Sequence, residues 1–196
     1  MKILFIRFSS IGDIVLTTSP LRSLKKGIPN AQIYYLTLEE YAPLLEGNSS
    51  IDRLHLLVRS TSVGQLISVG NYLNHCNFDI VVDMHDSLRS KIIRNRIKSG
   101  THYYLKKPRW KRFKLFEFHQ NDFQNDFSQL TLFHSVIKDI LPQEYHSSTS
   151  LFVSENEKEE AKLLLSKNGI KGEQYLVCIP GAAWSNKTWE TENYLE

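Results

Sequence analysis

The feature that most constrains this chain is its opening, where an apolar run from Lys2 to Phe8 (KILFIRF) meets the polar turn Ser9-Ser10-Ile11-Gly12 and then a helical pattern. A short run of β-formers bounded by turn residues suits a buried strand. From Asp13 the apolar positions Ile14, Leu16, Leu21 and Leu24 recur at roughly helical spacing, after which Lys25, Lys26 and Gly27 supply C-terminal cations and a cap, with Pro29 just beyond. The chain therefore opens as strand, tight turn and helix.

The unit repeats. Ala31 to Leu36 reads as a second strand, Glu39 to Glu46 as a short helix and Arg53 to Val58 as a third strand. Val63 to His75 reads as a helix, Phe78 to Asp83 as a fourth strand, Ser87 to Lys98 as a helix and Thr101 to Leu105 as a fifth strand. Strands alternating with helices predict a Rossmann-like α/β domain, a parallel sheet with helices on both faces. After Phe113 the alternation gives way to an aromatic and amide-rich stretch, then to a helix from about Phe127 to Leu141 that Pro142 ends. Gln143 to Ser150 is a polar connection, and Ser154 with Glu157 has capping-box spacing that opens a helix to about Lys167. Tyr175 to Ile179 reads as a new strand leading into Pro180-Gly181-Ala182-Ala183-Trp184-Ser185-Asn186-Lys187.

Length fits this division, since 196 residues hold one α/β domain and the start of another. The expected domains are 1–150 and 151–196, the second incomplete and too short to bury a core of its own, so the natural protein is expected to be longer. At 41% hydrophobic and 23% charged residues the composition is that of an ordinary globular chain, which argues against disordered and fibrous classes. The apolar start is too short for a signal segment, and no run approaches the ~20 residues that span a bilayer, which places the chain in the cytoplasm. Cys76 and Cys178 are far apart and lack metal-ligand spacing, so they read as two incidental buried thiols.

Four places offer chemistry. The first is the turn Phe8 to Asp13, at the carboxyl end of the first strand, where open parallel sheets bind ligands. Ser10 or Asp13 serves there either as a helix cap, with Gly12 permitting the tight turn, or as a functional group: the helix dipole favours a negative charge at Asp13, and a carboxylate so placed suits a general base. The turn lacks both the G-x-G-x-x-G fingerprint and the P-loop pattern, which weighs against dinucleotide and phosphate-hydrolase chemistry. The second is Asp83-Met84-His85-Asp86-Ser87-Leu88-Arg89-Ser90 after the fourth strand, where His85, Asp86 and Arg89 suit a polyhydroxylated or anionic ligand and equally suit a capped helix start. No second cluster closes a metal site around Asp83 and Asp86. The third is Pro180 to Lys187, small residues followed by a lysine, a pattern that holds phosphate oxygens on backbone N–H groups. The fourth is a basic segment in which Lys106, Lys107, Arg109, Lys111, Arg112 and Lys114 fall within nine positions, interleaved with Trp110 and Phe113. Its net effect is a local cationic patch on a chain whose overall charge is only +3; it suits a solvated loop, an anionic lipid surface or a nucleic acid.

Taken in order, three of these stretches resemble the glycosyltransferase family 9 proteins, the ADP-heptose:lipopolysaccharide heptosyltransferases. MKILFIRFSSIGDIVLTTSPLRSLKKGIPNAQIYYLT is similar to the family's start, S-S-I-G-D-I-V-L-T being its most specific part; DMHDSLRS looks like a second signature, and IPGAAWSNKTW like the motif that opens the nucleotide-sugar domain. The resemblance implies the GT-B architecture of two Rossmann-like domains facing across a cleft, of which this chain would be the N-terminal, acceptor-binding half. It implies an inverting, metal-independent transfer, without a cofactor, of a heptose from an ADP-sugar donor to a lipid-linked anionic saccharide on the inner core or lipid A precursor. Asp13 becomes the general base, Ser10 and Gly12 shape its turn, and His85, Asp86 and Arg89 hold the acceptor. Gly181, Ala182, Ala183 and Lys187 bind the nucleotide sugar. The resemblance also implies a cytoplasmic protein in peripheral contact with the inner membrane, and no nucleic acid partner. The competing reading is a non-catalytic domain that binds anionic lipid or nucleic acid through Lys106 to Lys114. One departure stands out: where many members begin the helix before the linker with a His and carry an Arg-Tyr pair, this chain has Ser128-Gln129-Leu130-Thr131-Leu132-Phe133.

Overall fold

A computed structural model describes residues 1–124, 127–141, 148–170, 174–179, 181–182 and 188–194, the side chains of Thr191 and Tyr194 excepted. The chain divides into two compact units, Met1–Phe152 and Val153–Glu196.

The first unit is a five-stranded sheet, every pair of which is parallel. Its strands are β1 (Lys2–Ile6), β2 (Gln32–Leu38), β3 (Arg53–Leu57), β4 (Ile80–Asp83) and β5 (Thr101–Tyr104). Their helices are α1 (Ile11–Gly27), α2 (Val63–Asn74), α3 (Leu88–Arg94), α4 (Arg109–Phe118) and α5 (Gln129–Ile137), with a 3₁₀ helix at Glu39–Leu44. The spatial order is β3-β2-β1-β4-β5, so the chain builds outward to one side of β1 and then crosses to the other. Crevices outside the carboxyl ends of strands at such a reversal are where open α/β sheets bind ligands, and here that place lies between β1 and β4.

Successive side chains of a strand point to opposite faces, and β1 shows why its sequence is apolar throughout. Ile3 and Phe5 enter one core with Ile14, Leu21 and Leu24 of α1 and Phe133 and Ile137 of α5. Leu4 and Ile6 enter the other with Leu66 and Leu73 of α2 and Ile93 of α3. The Rossmann-like sheet with helices on both faces is thus the architecture the alternation predicts. Element ends move by a few residues. Helix α1 begins at Ile11, two residues before Asp13, because the Ser10 carbonyl accepts the Ile14 N–H at 2.8 Å. The helix expected over Ser87 to Lys98 stops at Arg94, where the next turns tighten onto bonds from Arg96 to Ile93 and from Ile97 to Arg94.

One expectation about the basic and aromatic stretch changes. The segment Lys106 to Lys114 is loop only as far as Pro108 and from Arg109 forms α4; straight-chain Lys and Arg lose little side-chain freedom in a helix. Its cations and rings are interleaved, which hides a helical period.

In the second unit, α6 (Glu155–Lys167) carries the expected capping box: the Ser154 hydroxyl accepts from the Glu157 N–H, and the Glu157 carboxylate accepts from the Ser154 N–H. None of the unit's described residues is buried. The strand expected at Tyr175–Ile179 is irregular chain, with Leu176 92% exposed; a strand exists only as part of a ladder, and no neighbour pairs with it among the described residues. For the same reason Cys178 is exposed, and Cys76 is only half-buried, so the expectation of two buried thiols does not hold. The connection expected at Gln143–Ser150 lies largely outside the described residues. Among the described residues no helix is long and apolar enough to cross a membrane, and no group of three or more His, Cys, Asp or Glu side chains is gathered as metal ligands.

Candidate functional site

The loops after β1 and β4 leave the sheet side by side. The ladder sets Ile6 opposite Asp83, and the Met84 N–H extends it by donating to the Ile6 carbonyl at 3.0 Å. What joins the loops is Arg7. Its backbone N–H continues the pairing with Leu36, while its guanidinium donates through Nη1 to the Met84 carbonyl at 2.6 Å and through Nη2 to the Asp13 carboxylate. The Phe133 ring of α5 lies 5.3 Å from the guanidinium carbon. The Arg7 side chain is 7% exposed and that of Asp13 is 29% exposed, so the pair presents its carboxylate to solvent and keeps its cation inside. Burial pulls the Arg7 pKa below the ordinary arginine value, and the Asp13 charge is the largest influence opposing it.

Asp13 is therefore no helix cap. Its Oδ2 accepts from Arg7 and, at 3.2 Å, from the Ser10 hydroxyl. Ser10 occupies the N-cap position of α1, yet its side chain makes no capping bond, because it turns to Asp13 instead. Gly12 differs from expectation: it lies within the first turn of α1, and glycine is demanded there neither by a left-handed φ nor by packing, since a Cβ would meet nothing within 4 Å. A bare stretch of backbone thus lies next to the carboxylate.

On the β4 side, Asp83 is fully buried and organises the loop. Its Oδ1 accepts the N–H groups of His85 at 3.0 Å and Asp86 at 2.9 Å, and its Oδ2 pairs with Arg94 at 3.2 Å. The two N–H bonds hold Asp86 at a φ of 45°, a left-handed conformation that Asp tolerates better than most residues. The Asp86 carboxylate is taken up by Lys91 at 3.1 Å and Arg109 at 3.7 Å, and its carbonyl accepts from Lys107 at 3.4 Å. His85 packs its ring 5.0 Å from Phe8, and its Nδ1 is buried without a hydrogen-bond partner. Desolvation first, then the charges of Arg7 and Lys107, push the His85 pKa down to about 4, which leaves a neutral imidazole at neutral pH. Arg89 reaches back across Phe8, 5.8 Å from the ring, donates to the Val58 carbonyl at 3.3 Å, and keeps a buried Nε without a partner.

The structure thus gathers Ser10, Gly12 and Asp13 from one loop and His85, Asp86 and Arg89 from the other at one rim. Gly181 and Ala182 are exposed in the second unit, while Ala183 and Lys187 lie outside the described residues. Sequence reasoning missed Arg7, whose only signal was a lone cation in an otherwise apolar strand. It also missed Asp83 as an organiser, having treated it only as a metal-ligand possibility. A groove of about 450 Å³ between β5 and α5, lined by His102, Tyr103, Lys106, Ser135, Lys138 and Asp139 among others, includes neither Asp13 nor His85.

A doubly wound parallel sheet with an ion-paired carboxylate at its reversal point defines an α/β domain of the Rossmann type. Residues 66–196 match the family model of glycosyltransferase family 9 (heptosyltransferase), and the chain belongs to that family. Among curated proteins, lipopolysaccharide heptosyltransferase 1 of Campylobacter coli is 25% identical over 130 residues, covering 66% of this chain and 38% of that protein. The crystal structure of a family 9 glycosyl transferase from Veillonella parvula superposes with a TM-score of 0.72 at 20% identity, covering 98% of this chain and 57% of the other. The E. coli heptosyltransferase WaaC with ADP-2-deoxy-2-fluoro heptose gives 0.62 at 16% identity, covering 99% and 63%. The chain thus spans from under two fifths to under two thirds of the length of these relatives. At these identities the structural likeness speaks for the fold.

Proposed function

We propose that this chain is the acceptor-binding half of a transferase that moves a heptose from an ADP-heptose donor to a lipid-linked anionic saccharide of the lipopolysaccharide inner core, with inversion and without a metal. The observation that carries the reading is the half-open Asp13 carboxylate at the reversal point of a family 9 chain. The donor assignment is supported by the WaaC relative, whose structure holds an ADP-heptose analogue.

In this mechanism Asp13 accepts the proton of the acceptor hydroxyl as that oxygen attacks the anomeric carbon and the ADP leaves. Arg7 holds the carboxylate by one oxygen, Oδ2, together with the Ser10 hydroxyl, and the other oxygen has no bond to either group. That second oxygen faces the reacting alcohol. Neutral His85 and the guanidinium of Arg89 supply polar groups for sugar hydroxyls and anions beside it, the open backbone at Gly12 lets the acceptor come close, and Asp86 positions Lys107 and Arg109 along the rim. Gly181, Ala182, Ala183 and Lys187 hold the diphosphate of the donor, stabilising the charge of the departing group. The site faces the cytoplasm, next to the inner membrane that carries the acceptor.

The test is transfer from ADP-heptose by the protein expressed from its complete gene, compared with an Asp13→Asn variant. Loss of general-base catalysis lowers kcat by ~10²–10⁴; an unchanged rate removes Asp13 as the base. The 196-residue chain alone is expected to transfer no sugar, and measurable turnover by it would contradict this.

A further inference from the structure

Helix α4 shows water a surface that folded chains ordinarily cover. None of its residues is buried, Trp110 is 65% exposed and Phe116 73% exposed. Trp110, Phe113 and Phe116 recur at every third residue and so share a face, and the Trp110 and Phe113 rings stack at 5.4 Å. Phe118 meets Phe113 edge-on at 5.8 Å. Cations border these rings. Lys114 pairs with Asp122 at 3.0 Å and Arg109 with Asp86 at 3.7 Å, but Lys106, Lys111 and Arg112 form no ion pair among the described residues. Glu117 is the helix's only acid.

We propose that α4 is an interfacial anchor that seats this domain on an anionic lipid bilayer. Aromatic rings lie at the headgroup level, where their apolar bodies leave water, and each unpaired cation beside them is attracted by anionic headgroups. A nucleic acid fits the surface less well. Single strands bind in grooves with rings free to stack on bases, whereas α4 is a lone convex helix whose Trp110 and Phe113 rings already cover each other. The position of the helix adds a consequence that rests on the transferase reading. Arg109, its first residue, donates to the Asp86 carbonyl at 3.3 Å, so a bilayer under α4 lies beside the rim that would receive a lipid-linked acceptor.

The experiment is sedimentation with phosphatidylcholine vesicles, with and without phosphatidylglycerol, using both the 196-residue chain and the protein from its complete gene. Two variants are compared: Trp110→Ser/Phe113→Ser/Phe116→Ser, and Lys111→Glu/Arg112→Glu. Both proteins should prefer the anionic vesicles, and each variant should bind at least about tenfold more weakly. Because the substituted residues are exposed, unfolding midpoints should stay at the wild-type value, and the charge variant serves if the aromatic one does not fold. Vesicle binding that neither variant weakens overturns the proposal. So does binding by the 196-residue chain that the complete protein lacks, a stronger preference for a single-stranded oligonucleotide than for vesicles, or self-association through α4 without lipid binding. Asp13→Asn should bind vesicles as the wild type does, so the anchor and the transferase reading fail separately.

Discussion

Arg7 and Asp13 form an ion pair in which the two partners stand on opposite sides of the protein surface: the guanidinium is enclosed and the carboxylate is in reach of water. The pair bridges β1 to the first turn of α1, and through the Met84 carbonyl it also ties in the loop after β4. Its asymmetry has an energetic consequence.

Removing the carboxylate strands a buried cation, whereas removing the cation leaves a carboxylate that water solvates. Asp13→Leu should therefore destabilise the domain by ~2–4 kcal/mol and Arg7→Met by less, ~1–2 kcal/mol, as read from urea midpoints of the two variants. Equal losses would mean that Arg7 finds other partners when Asp13 is gone.

Asp83 works through backbone bonds as well as charge, and its side chain is fully buried. Asp83→Ala leaves Arg94 and two N–H groups without their acceptor, at a cost of ~3–5 kcal/mol. Proton spectra should show His85 and Asp86 amide resonances shifting most, since those are the groups it holds. A loss below about 1 kcal/mol would contradict this role.

His85 makes stability depend on pH. Its folded pKa is about 4, against an ordinary value of 6.5, so between these the unfolded chain takes up a proton that the folded one does not. Stability is fully present above pH ~6.5 and falls as the pH drops toward ~4, by an amount on the order of 1–2 kcal/mol once the ring's partial contact with water is discounted. A His85→Gln variant should lose that part of the slope, visible as a flatter plot of unfolding midpoint against pH across the same window. A slope unchanged by the substitution would assign it to other groups.

Two glycines on helices should respond in opposite ways to alanine. A Cβ on Gly70 of α2 would come within 2.9 Å of the Ile93 carbonyl oxygen and 2.7 Å of the Arg96 Cβ, where α2 and α3 meet, so Gly70→Ala should cost ~1–3 kcal/mol. Gly12→Ala meets open space and should leave stability unchanged or raise it by up to ~1 kcal/mol. If an acceptor approaches the bare backbone there, the same variant raises KM for acceptor while the protein stays folded. Unaltered acceptor kinetics would take Gly12 out of the site.

Much of the sheet was legible because fully buried parallel strands read as short apolar runs, and β1 to β5 each fall on or within the expected segment or within two residues of it. The rim was half legible. The turn residues Ser10, Asp13, His85, Asp86 and Arg89 stand out as polar groups at strand ends, but Arg7 did not, because a single cation inside KILFIRF gives no sign of which carboxylate it will meet. Helix α4 was missed because cations interrupt its aromatic positions along the chain, and Tyr175–Ile179 was misread because an apolar run is a strand only beside a partner.

What the sequence determined alone is local: which runs are apolar, where turns interrupt them, and hence a doubly wound sheet with polar loops at its carboxyl edge. The tertiary structure decided which loops meet. Only the order β3-β2-β1-β4-β5 brings the end of β1 against the end of β4 and so lets Arg7 reach Met84 on one side and Asp13 on the other. The physical reason is that burial of the Arg7 charge depends on which strands the sheet sets side by side, here joining residues 77 positions apart, a distance over which composition and periodicity carry no information.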